Sequence, residues 1–77
     1  MICSINDIIE NIDNLEPIKL FYYSSCYGYL EGIELSIESV EDDFYALESM
    51  LIYAVDNNYI NIIKYVIANK YLVDDQY

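Results

Sequence analysis

The chain has 77 residues, of which 56% are apolar and ten are tyrosine, and its formal net charge is −11. This length suffices for one small domain, and the aromatic content excludes a disordered acidic tail. A charge of this size repels nucleic acid and acidic membranes and favours a partner with a basic protein surface. We therefore expect a single acidic globular domain over residues 1–77 that binds another protein.

The two cysteines, Cys3 and Cys26, indicate the compartment. A single pair without a secretory signal is typical of reduced thiols in the cytosol. No apolar run approaches the roughly 18 residues that a membrane span needs, and nothing near Met1 resembles a cleaved targeting segment. We therefore expect a cytoplasmic location. The absence of Arg and the abundance of Ile, Asn and Tyr suit an AT-rich genome, such as that of a phage or virus. For a viral protein, the expected cytoplasm is that of the host cell.

The first element is a predicted helix over residues 4–14. Ser4 and Asp7 have the spacing of a helix cap, in which the Ser hydroxyl binds the first free amides. One apolar stripe then recurs at helical spacing, formed by Ile5, Ile8, Ile9, Ile12 and Leu15. Pro17 closes the segment because the residue before a proline avoids helical geometry.

The next two segments are predicted to form an antiparallel β-hairpin. Residues 18–24 are aromatic and β-prone, and in residues 29–39 Ile33, Leu35 and Ile37 alternate with Glu34, Ser36 and Glu38. Gly28 supplies the turn between them, and Gly32 marks a bulge or a close backbone contact. Because two strands alone are marginal in water, helices should cover one face.

The second half of the chain is predicted to be helical. Acidic residues from Glu41 onward favour a helix start, and an apolar stripe continues this helix to about residue 56. A third helix lies within residues 59–72, with one face formed by Ile60, Ile63, Ile67 and Tyr71 and widened by Ile62 and Val66. The predicted fold class is therefore α+β, a small antiparallel sheet packed by three helices.

The sequence offers little for catalysis. Histidine, the usual general base near neutral pH, is absent. Neither cysteine has a neighbouring base or cation that would activate it as a nucleophile. The acidic residues fit no calcium loop, and the Cys and His clusters that hold zinc are missing. We therefore expect a protein that is not an enzyme and that uses no metal or cofactor.

The candidate binding site is the acidic stretch within residues 31–48, because residues 20–63 contain no cation. Its carboxylates are Glu31, Glu34, Glu38, Glu41, Asp42, Asp43 and Glu48. Tyr22, Tyr27 and Tyr29 cluster nearby, and tyrosine is enriched in binding hot spots. A solvated polar face with helix-capping acids is the alternative interpretation, and packing within the fold is the alternative for the tyrosines.

Residues 46–72 resemble one ankyrin repeat, a family of paired helices joined by a tight turn. The matching positions are Ala54, Asn58-Tyr59 and Ile62-Ile63-Lys64-Tyr65, and thirty residues earlier Tyr27-Gly28-Tyr29-Leu30-Glu31 echoes the turn. The family's Thr-Pro start is missing. The resemblance implies an alternative all-α fold of ankyrin-like helical hairpins, and a protein-interaction module as its function.

The chain also resembles, in kind, the small acidic anti-CRISPR and anti-restriction proteins of phages, since it is short, acidic and free of histidine and opens with a helix such as INDIIENIDN. This resemblance implies an inhibitor that occupies the nucleic-acid site of a host defence protein. The expected function is thus a non-enzymatic inhibitor that docks an acidic, Tyr-rich surface on a basic protein. The alternative is a structural module that self-associates, for example as a homodimer, through its apolar C-terminal helix.

Overall fold

The structure is a computed structural model that describes residues 2–69. These residues form the α-helices α1 (Ile5–Asn11), α2 (Pro17–Tyr27), α3 (Leu30–Ser36), α4 (Phe44–Asp56) and α5 (Ile60–Ala68). Short 3₁₀ turns follow α1 at Ile12–Asn14 and α3 at Ile37–Ser39. No part of residues 2–69 is a strand, so the predicted α+β fold with an antiparallel sheet is wrong.

The helices form two consecutive pairs, α2 with α3 and α4 with α5. Each pair is joined by a turn whose central residue has a positive φ, 75° at Gly28 and 59° at Asn58. A residue in this left-handed region reverses the chain after a helix, so the two helices of each pair run antiparallel. Since the two turns lie thirty positions apart, the second pair repeats the first along the chain. Paired helices are also what the all-α alternative describes.

Residues 18–24, predicted as the first strand, lie inside α2. This helix buries Leu20, Phe21, Ser24 and Ser25, which is the spacing of one helical face. A short apolar run fits a buried strand and a buried helix equally well. Pro17 therefore starts a helix, as proline commonly does in the first helical turn.

The second predicted strand, residues 29–39, lies in α3 and its 3₁₀ turn. Ile33 and Ile37 are buried, but Leu35 between them is 68% exposed. The alternation misled the prediction because Ile33 and Ile37, four positions apart, also share one face of a helix. Gly32 marks a close approach of α3 to α2 rather than a bulge, since a Cβ at this position would collide with the side chain of Ser24.

The other predicted helices exist, with shifted boundaries. The Ser4 cap of α1 is confirmed, because its hydroxyl accepts a hydrogen bond from the Asp7 amide at 3.3 Å. The helix predicted from residue 41 begins at Phe44. The buried residues of α5 are Ile62 and Val66, which were predicted only to widen its apolar face. The predicted face itself, formed by Ile60, Ile63 and Ile67, is half-buried or exposed. Its fourth residue, Tyr71, lies outside the described residues.

The core lies between the two helix pairs, so the pairs are stacked on each other. Its buried residues are Phe21, Ile33, Ile37, Val40, Leu47, Met50, Ala54, Ile62 and Val66. On one side of the stack α1 packs against α2 and buries Ile8 completely. The order is therefore α1, then α2–α3, then α4–α5.

Candidate protein-binding surfaces

The most regular acidic surface lies on the exposed side of α3 and of the 3₁₀ turn that follows it. Glu31, Glu34 and Glu38, which we call the acidic face, are exposed and spaced by three and four residues. A helix rises 1.5 Å per residue, so successive carboxylates are about 4.5 and 6 Å apart along the axis. No lysine among residues 2–69 forms an ion pair with them. The acidic face is therefore a compact group of unneutralised charges.

The opposite side of α3 holds this surface in place. Gly32 and Ile33 are buried against α2, and the Ser36 hydroxyl donates a 2.6 Å hydrogen bond to the Gly32 carbonyl. A buried polar side chain with such a bond costs little. Since α3 packs closely on α2, the carboxylates project from a fixed support.

The remaining predicted acids do not share this face. Glu41 and Asp42 are exposed in the turn that precedes α4. Asp43 has a structural role, because its carboxylate accepts a 3.2 Å hydrogen bond from the Ala46 amide and caps α4. Glu48 is exposed on α4 itself. The structure thus groups three of the seven predicted carboxylates on one helix face and distributes the other four over the next turn and helix.

The three predicted tyrosines are also divided. Tyr29 precedes α3, and its hydroxyl donates to the Glu31 carboxylate at 3.1 Å. Burial, followed by this hydrogen bond, raises the pKa of Tyr29. Tyr27 binds the N-terminal segment, because its hydroxyl donates a 3.2 Å hydrogen bond to the Ile2 carbonyl. Tyr22 lies on α2, so Tyr29 is the predicted tyrosine that contacts the acidic face.

Tyr22 belongs to a second surface, on the exposed side of α2. With Lys19, Tyr23 and Cys26 it lines a depression of about 290 Å³, which we call the tyrosine face. Tyr53 of α4 lies at its border, where the Cys26 side chain raises the pKa of Tyr53. This surface was not predicted, because Lys19, Tyr22 and Tyr23 were assigned to a strand and Cys26 to the turn after it. Their spacing of three, one and three positions is the signal of a helical face.

Cys3 is exposed and Cys26 half-buried, and both are free thiols. Within residues 2–69 no group of three or more Cys, Asp or Glu side chains is placed to hold a metal ion. What these surfaces offer a partner is charge and aromatic contact area.

Comparison of the chain with protein-family models, with curated proteins and with solved structures finds no match in any of the three. The resemblances to ankyrin repeats and to phage anti-defence proteins therefore stay predictions. Among residues 2–69, the helices are too short or too polar to cross a bilayer.

Proposed function

We propose that this chain is a non-enzymatic binding protein that docks its acidic face on the basic surface of another protein. The observation that carries the proposal is the grouping of Glu31, Glu34 and Glu38 on one exposed side of a supported helix. A net charge of −11 adds long-range attraction to any basic partner.

Leu35 adds an exposed apolar side chain at the edge of this face. It is 68% exposed and lies on the same helix, next to Glu34 and one turn from both Glu31 and Glu38. Binding hot spots are commonly apolar or aromatic anchors surrounded by residues that exclude water. In the complex, the carboxylates would speed the encounter and select a basic partner, and Leu35 would lengthen its lifetime.

The partner that we propose is a nucleic-acid-binding protein in the cytoplasm. Such a protein has lysines and arginines placed for phosphates, which are one per 3.4 Å of axis along a single duplex strand. The carboxylates of the acidic face, about 4.5 to 6 Å apart, have the same sign and a similar but lower density. Occupying that site would inhibit the partner, which is the action of a phage or viral anti-defence factor in the host cell.

A charge-matched pair of variants tests the proposal. The first changes Glu31, Glu34 and Glu38 to Gln, and the control changes the exposed Glu10, Asp13 and Glu16 to their amides. Both remove three negative charges, and both leave Asp43, the cap of α4, intact. Association with a purified basic DNA-binding protein would be followed by surface plasmon resonance at two salt concentrations, with a DNA duplex as competitor.

We expect the acidic-face variant to associate about tenfold more slowly, since each exposed charge pair is worth roughly 0.2–1 kcal/mol. The control should keep its rate within a factor of about two. An equal loss in both variants would mean that only net charge matters, and no loss in either would mean that the acidic face is not the site. Leu35→Gln should shorten the lifetime of the complex without changing the association rate.

The self-association alternative concerns another surface, the apolar side of the C-terminal helix α5.

A further inference from the structure

The second helix pair has an exposed apolar flank on α4. The cleft between α2 and α4 is lined by Ala46, Ser49 and Tyr53, so this side of α4 faces α2. At 100° per residue, the side facing away from α2 carries Phe44, Leu51 and Val55. Leu51 is half-buried, but Phe44 is 60% and Val55 61% exposed. The exposed Glu48 lies on the same flank, one turn from Phe44 and one turn from Leu51. Apart from this carboxylate, the flank is apolar and largely uncovered.

The adjacent flank of α5 has the same character. Ile62 and Val66 face the core, and the same rotation from them places Ile60, Ile63 and Ile67 on one flank. Because α4 and α5 are right-handed and antiparallel, this flank lies beside that of α4. Together they form the end face, which consists of Phe44, Leu51, Val55, Ile60, Ile63 and Ile67.

The thirty-residue repeat allows the end face to be compared with the equivalent surface of the first helix pair. In the first pair, the positions equivalent to Val55 and Ile67 are Ser25 and Ile37, and each of these is only 2% exposed. They are buried where α4 and α5 stack on the first pair. In the second pair Ile67 is 63% exposed, because nothing within residues 2–69 stacks on it. A stack of helix pairs needs a polar outer face at each end, and the end face is not polar.

The opposite end of the stack limits how a second copy can bind. There α1 packs on α2 and buries Ile8, so the end face of one copy cannot stack on the first pair of another in head-to-tail fashion. A twofold arrangement, in which the end face meets its own equivalent, remains open. This symmetry closes at two copies and does not produce a filament.

Charge and area also favour a second copy. Glu48 on α4 and Lys64 on α5 are the charged residues among the apolar side chains of the end face, and the acidic face lies elsewhere, on α3 and the turn after it. Because Glu48 and Lys64 have opposite signs, the end face itself adds no net charge to the repulsion between two chains of charge −11. The end face exposes on the order of 500 Å² of apolar surface, so two copies would bury about 1,000 Å², the lower limit for a specific interface.

We propose that a second copy of this chain covers the end face and gives a twofold-symmetric dimer. Phe44, Val55, Ile60 and Ile67 of one protomer pack against the same residues of its partner. The dimer leaves both acidic faces uncovered, so it does not depend on the proposed docking function. Salt separates the two, because screening strengthens an association between like-charged chains and weakens one between opposite charges.

The test is sedimentation of the full chain under reducing conditions, from 1 to 200 µM and at low and high salt. We expect a reversible monomer–dimer equilibrium that stops at two copies and strengthens as salt is raised. The variant Val55→Gln/Ile67→Gln should weaken dimerisation by at least about tenfold, because it places four amides in the interface. Both residues are mostly exposed in the monomer, so the helical circular dichroism signal should be preserved.

The matched control is Ile9→Gln/Ile18→Gln, which removes two other exposed apolar residues, 47% and 58% exposed, from α1 and α2. It should dimerise like the unmodified chain. A full chain that stays monomeric at 200 µM, an open-ended series of oligomers, or equal weakening by both variants would each overturn the proposal. A monomeric chain would leave the docking function, with its own variants and opposite salt dependence, unaffected.

Discussion

Gly28 is the residue at which the structure makes its sharpest prediction about stability. Its φ of 75° lies in the left-handed region, and a Cβ at this position would lie 2.8 Å from ring carbons of Tyr59. The ring cannot easily retreat, because the Tyr59 hydroxyl donates a 2.8 Å hydrogen bond to the Cys26 carbonyl. Gly28→Ala therefore combines a backbone penalty with a steric one.

Each of the two penalties has a known size. A non-glycine residue in the left-handed region costs about 1–2 kcal/mol, and an overpacked methyl group typically costs about 1–3 kcal/mol. We expect Gly28→Ala to lower the free energy of unfolding by about 2–5 kcal/mol, a large share of the roughly 4–12 kcal/mol of a chain this size. The thermal midpoint should fall by at least about 8 °C.

Two further variants separate the penalties. Asparagine tolerates a positive φ, as Asn58 does at the equivalent turn, so Gly28→Asn should show mainly the collision with Tyr59. Asn58→Gly should change stability by less than about 0.5 kcal/mol, because glycine adopts the same φ freely. Urea unfolding followed by circular dichroism measures all three variants. If Gly28→Ala unfolds at the midpoint of the unmodified chain, the Tyr59 ring does not pack against Gly28 and the pairing of the two turns is incorrect.

Three other changes have predictable effects. Ser24→Ala should stabilise the chain by about 1 kcal/mol in urea unfolding, because the Ser24 hydroxyl is buried without a hydrogen-bond partner; a loss of stability would mean that the hydroxyl is satisfied. Asp43→Ala should cost about 1 kcal/mol, since it removes the cap on the Ala46 amide, whereas Asp43→Asn should recover most of this loss. Because the pKa of Tyr29 is raised in the folded chain, its contribution to stability is present below the unfolded pKa of about 10 and is lost as pH rises through the higher folded value. Tyr29→Phe should accordingly flatten the alkaline limb of the stability profile, and an unchanged limb would contradict the contact with Glu31.

The capping and turn residues could be identified from local sequence because their interactions are local. The Ser4 cap involves a residue only three positions away, and Gly28 was correctly placed in a turn. The type of element on either side of Gly28, strand or helix, could not be identified in this way. Residues 18–24 and 33–38 are short runs whose apolar spacing fits both a strand and a helix, and packing against the second helix pair decides between the two.

The candidate site shows the same division. On a strand, Glu34 and Glu38 would share a face and Glu31 would lie on the other, since strand side chains alternate. On α3 and the 3₁₀ turn that follows it, all three lie on one side. Tyr22, predicted to accompany the acids, lies with Lys19 on α2 instead. The sequence therefore showed that the chain has an acidic surface. Which carboxylates share that surface depended on whether the segment forms a strand or a helix.

By itself, the sequence determined the charge of the molecule, the caps and turns that divide it, and the apolar residues available for a core. Only the tertiary structure decided that the second helix pair covers the first, whereas nothing within residues 2–69 covers the far side of the second. Ile37 is therefore buried and Ile67 is exposed. The physical reason is that burial depends on which element comes to lie against a residue, and that element is far away in the chain. Ile37 and Ile67, at equivalent positions of the two pairs, thus have the same side chain and opposite environments.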